Sequence, residues 1–229
     1  TQNNVDLGDK IVTDISSYEG VLYLYNSLIN VWAYNGSGFT SFKDIEFKII
    51  KSTAFAATDR YAYFVNENKI LTLDFVLDKT TEFLISETVT SLITVGKDVY
   101  AVSDGRISKV DFENKTLVKT ALPSVRNATS DGKFIATIPV GDNAIITYDS
   151  ALNEKETYGS KSAKDKWFDS PEKVFSENGN VAVWDKSNAR VQFFFGDGTY
   201  KKLSVSKNAT SVAVNTTHTA YTDGKKVYV

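Results

Sequence analysis

Two columns of residues recur along this chain with a shared step of about 40, the interval of an all-strand repeat architecture. Tyr23, Ala62, Ala101, Ala136, Ala182 and Ala220 follow one another at spacings of 39, 39, 35, 46 and 38. Val31, Ile70, Ile107, Ile145, Val191 and Val227 follow at 39, 37, 38, 46 and 36. Both columns place their one long interval between the fourth and fifth members. Independent drift would not give two columns the same rhythm and the same exception, so the chain reads as six copies of one unit.

The stretch Val89 to Thr120 shows the unit most plainly. Apolar runs from Ser91 to Val95, Val99 to Ser103 and Ile107 to Phe112 are separated by Gly96-Lys97-Asp98 and Asp104-Gly105, and a fourth run spans Thr116 to Leu122. Short β-branched and aromatic runs divided by Gly/Asp/Asn turns are the mark of consecutive antiparallel hairpins. Each copy is therefore a four-stranded meander, and the six together predict an all-β, six-bladed β-propeller forming a single domain over 1–229. Asn35, Asp74, Asp111 and Asp149 recur after the third strand, where a side chain that bonds its own backbone favours the turn outward. The fifth unit has Phe195 there and turns on Gly196-Asp197-Gly198.

The sixth unit stops one strand short after Lys226 to Val229, while Thr1 to Val12 belong to no unit. An N-terminal strand completing the last blade would close the ring and remove two long unpaired edges. Runs such as Ile70-Leu71-Thr72-Leu73 and Gln192-Phe193-Phe194-Phe195 fit strands covered on both faces by neighbouring blades. Helical periodicity is scarce; only Lys161 to Lys173 has room for a helical turn, with Pro171 limiting it.

Val99-Tyr100-Ala101-Val102-Ser103 followed by Ile107-Ser108-Lys109-Val110-Asp111 resembles the surface-layer propeller repeats named after a Tyr-Val-Thr-Asn strand, and the likeness extends over about four units. It implies an extracellular or periplasmic binding or scaffold role. Thr137-Ile138-Pro139-Val140-Gly141 imitates that family's inter-blade segment but follows a second strand. Trp184-Asp185 imitates a WD dipeptide, yet sits on a second strand without the Gly-His partner, so WD40 repeats are not indicated.

Composition removes several classes. With 26 basic against 28 acidic residues the net charge is −2, which supplies no field to hold a nucleic-acid backbone. No run of about 18 apolar residues is present, so no helical membrane insertion is expected. Absence of cysteine excludes disulfides, thiolate catalysis and cysteine zinc sites. A chain that begins at Thr1 and holds no methionine reads as a mature product after removal of a leader, which favours an extracellular or cell-surface location over a periplasmic or cytoplasmic one.

Chemistry-bearing residues are sparse. His218 is the only histidine, and no nucleophile elbow accompanies it. Acidic residues recur in the turns: Glu19, Asp59, Asp98, Asp131 and Glu177 in one set, Glu67, Asp104, Asp142, Asp185 and Asp223 in the other. Converging carboxylates would suit calcium and a lactonase-like hydrolase, although turns select such residues for backbone reasons alone.

The eight or so additional residues between units four and five lie in Tyr158 to Lys173, and insertions on a regular scaffold commonly carry recognition. Trp167 and Phe168, with Lys166 and Tyr158 beside them, are the expected binding residues for a protein or glycan. The insertion is expected on the same face as the loops between second and third strands, and Pro123, Pro139 and Pro171 are expected in loops on that face. Trp32 and Trp184 read as packing between blades. Sequons at Asn35, Asn114, Asn127, Asn208 and Asn215, all placed near turns or loop ends, would be glycosylation sites in an exported chain. The expected function is thus a non-catalytic exported binding or assembly module without a cofactor, with a metal-dependent hydrolase and a cytosolic scaffold as rivals.

Overall fold

The computed structural model describes residues 14–18, 21–25, 31–34, 39–42, 52–160, 164–214, 219–223 and 227–228. Every regular element among them is a strand, arranged in six antiparallel sheets. Successive sheets comprise β1 (Asp14–Tyr18) to β4 (Phe39–Phe42), β5 (Ala54–Ala57) to β8 (Lys79–Leu84), and β9 (Val89–Val95) to β12 (Thr116–Lys119). Between them lie β2 (Val21–Tyr25), β3 (Val31–Tyr34), β6 (Tyr61–Asn66), β7 (Lys69–Asp74), β10 (Asp98–Ser103) and β11 (Arg106–Asp111). The fourth sheet is β13 (Val125–Ser130), β14 (Ile135–Pro139), β15 (Ile145–Tyr148) and β16 (Glu154–Tyr158). The fifth is β17 (Pro171–Glu177), β18 (Asn180–Asp185), β19 (Arg190–Phe194) and β20 (Tyr200–Ser204). The sixth has three described strands, β21 (Ser211–Val214), β22 (Thr219–Thr222) and β23 (Val227–Tyr228).

Each sheet is a meander in chain order, as the repeat predicts. Every member of the first column lies on a second strand and every member of the second column on a third. Closure by Thr1 to Val12 concerns residues outside those described, as do His218, Glu19, Asn35 and Asn215.

The turns explain why the strands stop where they do. Asp104 and Gly105, and Asn178 and Gly179, all have positive φ, at 47°, 71°, 50° and 80°. Two consecutive residues with φ > 0 make the type I′ turn whose twist matches that of the strands it joins. Gly105 also has its neighbour against it: a Cβ there would lie 2.8 Å from the Val125 carbonyl oxygen.

Contacts gather the chain into two units, residues 1–92 with 112–116 and residues 93–111 with 117–229. In the first, β5 is buried along its length, and Phe64, Val65 and Ile70 are almost wholly enclosed. Tyr23 stacks parallel to Phe75 at 6.3 Å, and Thr53 Oγ1 donates to the Val89 carbonyl at 3.3 Å. Asp74 ends β7 as expected: Oδ1 accepts from the amides of Val76 and Leu77, while Oδ2 accepts from Arg60 at 2.9 Å. The Arg60 hydrogen bond, with the two amides, holds the Asp74 carboxyl below its ordinary range. A depressed folded-state pKa stabilises the fold above the carboxyl's unfolded value, and that contribution disappears as pH falls through the lower folded value. Arg60→Ala is expected to flatten the dependence of the urea midpoint on pH across the acid range, a measurement that a purely structural Arg60 would leave parallel to the wild type.

In the second unit the sheets meet through separate apolar cores. Ile93, Tyr100, Ile107, Val125 and Ile135 form one, Ile138, Ile145, Phe168, Val174 and Phe194 the next, and Trp184, Val191, Phe193, Val205 and Val212 a third. Trp184 is 2% exposed and is packing, as its strand position predicts. The first strands of successive sheets, and the turns that follow them, are tied by polar bonds: Ser130 Oγ donates to the Thr94 carbonyl, Asn127 Oδ1 accepts from the Val174 amide, and Asp131 Oδ2 accepts from the Gly179 amide. Asn127 therefore lies within β13 and not at a turn or loop end, and its amide is already used across two sheets. Asn114 and Asn208 are exposed in turns.

Two proline expectations need correction. Pro139 is the last residue of β14 and Pro171 the first of β17, and both are buried. Strand ends tolerate proline because the absent N–H is not needed by the ladder. The helical turn allowed for Lys161 to Lys173 does not form among the described residues, since 164–166 make a turn and β17 begins at Pro171.

Candidate functional site

The insertion joins β16 to β17, and its course is set by polar residues of β19. Arg190 and Gln192 are two apart and so project from the same face of the strand. Arg190 Nη2 donates to the carbonyls of Lys164 and Trp167 at 2.9 and 2.8 Å. Gln192 Nε2 donates to the Trp167 carbonyl at 2.7 Å, and its Oε1 accepts from the Lys166 amide at 2.9 Å and the Tyr200 hydroxyl at 2.6 Å. Gln192 is wholly buried, and each of its polar atoms has a partner, as burial demands.

Asp185 completes the clamp from the end of β18. It is wholly buried; Oδ1 accepts from the amides of Asp169 and Ser170, and Oδ2 from Asn188 and from Arg190 Nε at 3.1 Å. Backbone bonds add Lys186 N to the Ser170 carbonyl and Phe168 N to the Ser160 carbonyl. Asp165 on the outer side pairs with Lys202 at 2.7 Å.

The four expected binding residues separate. Phe168 is wholly buried in the core between the fourth and fifth sheets, edge-on to Phe194 at 5.9 Å, so it cannot present a surface anchor. Gly159 permits this: its φ is +82° and a Cβ would lie 2.2 Å from the Phe168 ring. Trp167 is 43% exposed while its backbone is held. Tyr158 is the last residue of β16 and half-buried, and Lys166 is exposed with its ammonium 5.5 Å over the Tyr200 ring.

Tyr158, Gly159, Lys166, Phe194, Tyr200 and the turn 196–199 line an open cleft of about 510 Å³. Phe194 forms its aromatic floor, with ring centroids 4.6 Å from Tyr158 and 5.6 Å from Tyr200. The Tyr158 hydroxyl bonds Glu156. Burial first, then the Glu156 carboxylate, push the Tyr158 phenol well above its ordinary range, and burial raises that of Tyr200. Both phenols are neutral donors at physiological pH. Arg190 and Gln192, the residues that build this site, carried a sequence signal: two polar side chains at alternate positions in an otherwise apolar strand.

The turn acids divide among local tasks. Glu67 and Asp104 occupy left-handed positions, Asp98 pairs with Lys109 at 2.7 Å, and Asp131 and Asp185 bind backbone amides. Among the described residues no three His, Cys, Asp or Glu side chains cluster in a way that would hold a metal ion.

No family model and no curated protein matches the chain. Solved structures do. Hsv2 of Kluyveromyces lactis superposes with a TM-score of 0.65 at 12% identity over 92% of this chain and 70% of its own. Virginiamycin B lyase of Staphylococcus aureus gives 0.57 at 8% identity over 99% and 82%, and the Neurospora crassa Pan2 WD40 domain 0.51 at 10% over 92% and 85%. These are β-propeller proteins, and with the six meandering sheets they identify the fold of this chain as a β-propeller. At such identities the likeness concerns fold alone, and it does not single out the surface-layer repeats.

Proposed function

We propose that this propeller is a non-catalytic binding or assembly module, exported to the cell surface, whose β16–β17 insertion presents a ligand surface for a protein or glycan. The observation that carries the reading is Trp167: 43% exposed, on a backbone whose carbonyl is held by Arg190 and Gln192. An anchor ordered in advance loses little conformational entropy on binding, and tryptophan is enriched at the energetic centres of interfaces. The polar residues beside it are engaged in holding the loop, which suits recognition better than proton transfer. The surface location rests on the resemblance of Val99 to Asp111 to surface-layer repeats.

The test is an array of immobilised glycans and surface-protein domains probed with the whole chain and with Trp167→Ala. The expected result is at least one ligand whose binding falls about tenfold or more in the variant, in line with loss of an interface anchor, while the melting temperature is kept. Binding indifferent to Trp167, or turnover of the bound ligand, would overturn the reading.

A further inference from the structure

The cleft beside the insertion has a lining that discriminates among ligand classes. We infer that it holds a ring of a neutral oligosaccharide, an inference that rests on the binding-module reading and specifies its ligand. A pyranose presents an apolar C–H face and a rim of hydroxyls, so its site needs a fixed aromatic plane with acceptors around it. Tyr158 supplies the plane, locked from below by Phe194 and at its hydroxyl by Glu156, while Tyr200, covered by Lys166 and held at its hydroxyl by Gln192, walls the cleft beside it. Rings that are held before binding add stacking without an ordering cost. Acceptors stand at the edge: Glu156 is exposed and uses one carboxylate oxygen on Tyr158, and Asp197 uses Oδ1 on the amide and hydroxyl of Thr199.

Charge narrows the class. Two carboxylates, Glu156 and Asp197, face one ammonium, Lys166, along the lining, which disfavours uronates, sulfated sugars and phosphates. A cationic side chain is disfavoured as well, because Lys166 already lies over the Tyr200 ring where such a group would stack. The volume of about 510 Å³ falls in the range of roughly 300–1,000 Å³ usual for small-molecule sites.

The experiment uses the whole chain with maltotriose, cellotriose and chitotriose, read by saturation-transfer NMR and titration calorimetry, with trigalacturonate and a lysine-containing peptide as the opposing probes. At least one neutral trisaccharide is expected to bind and to weaken about tenfold, the factor equivalent to losing about 1.4 kcal/mol, in both Tyr158→Leu and Glu156→Ala. Glu156 is exposed, so its variant remains informative if Tyr158→Leu folds poorly. Absence of binding by all three neutral sugars, or binding that neither variant alters, overturns the inference. Binding of the uronate or the peptide in the cleft, with the neutral sugars excluded, also overturns it while leaving the binding-module reading in place; that reading falls separately, on the Trp167→Ala array.

Discussion

Asp185→Ala is expected to lower the stability of the folded chain by about 3–5 kcal/mol, the cost of removing one partner from a buried charge pair. The magnitude follows from what remains behind. Arg190, whose side chain is 9% exposed, loses its nearer carboxylate at 3.1 Å and keeps the more exposed Asp165 at 3.6 Å, and the amides of Asp169 and Ser170 lose their acceptor in a place where the replaced side chain was wholly buried. A guanidinium cannot discharge itself, so the strand or the insertion must move to admit water. Denaturation with guanidinium chloride, followed by tryptophan fluorescence and far-ultraviolet circular dichroism, measures the loss. A drop of less than about 1 kcal/mol, the scale of an exposed ion pair, would mean that Asp185 does not couple the insertion to the fifth sheet.

The second large effect separates two neighbours. Phe168→Ala is expected to cost about 3–5 kcal/mol, as truncation of a buried phenylalanine does, because its ring fills the space between Ile138, Ile145, Val174 and Phe194. Trp167→Ala should stay within about 1 kcal/mol of the wild type, since surface substitutions away from special contacts change little. Its backbone carbonyl, which receives both clamp bonds, survives the substitution. Equal losses in the two variants would make Trp167 structural and remove the support for a binding surface. The comparison is best made by urea titration of both variants, where the midpoints should diverge with similar slopes.

The contrast between these two residues shows how far the site was legible. Aromatics at 167 and 168 in an insertion announce that something is anchored there, but a dipeptide in a loop has no period, and nothing in its composition says which ring points inward. The answer depends on Gly159, nine residues before Phe168, whose missing Cβ leaves room for that ring. Asp185 is a similar case: as a recurring turn acid it invites a cation-binding reading, whereas its surroundings supply two amides, an amide side chain and a guanidinium. Pro171 reads as a loop residue because proline is disfavoured in strands, yet the first position of β17 makes no use of its absent N–H.

What the amino-acid order determined by itself was the unit and its copying. Short apolar runs and the Asp/Asn/Gly turns between them are local properties, each settled within a few residues, and the two columns repeat them at a fixed step, so the six meanders and their strand order could be read directly. What only the tertiary structure decided was the clamp of Asp185, Arg190 and Gln192 on the insertion, the inward turn of Phe168, and the cleft over Phe194. Those features join the fifth sheet to the insertion and to the fourth sheet, where distance along the chain carries no information and burial, charge and packing volume together select the partner.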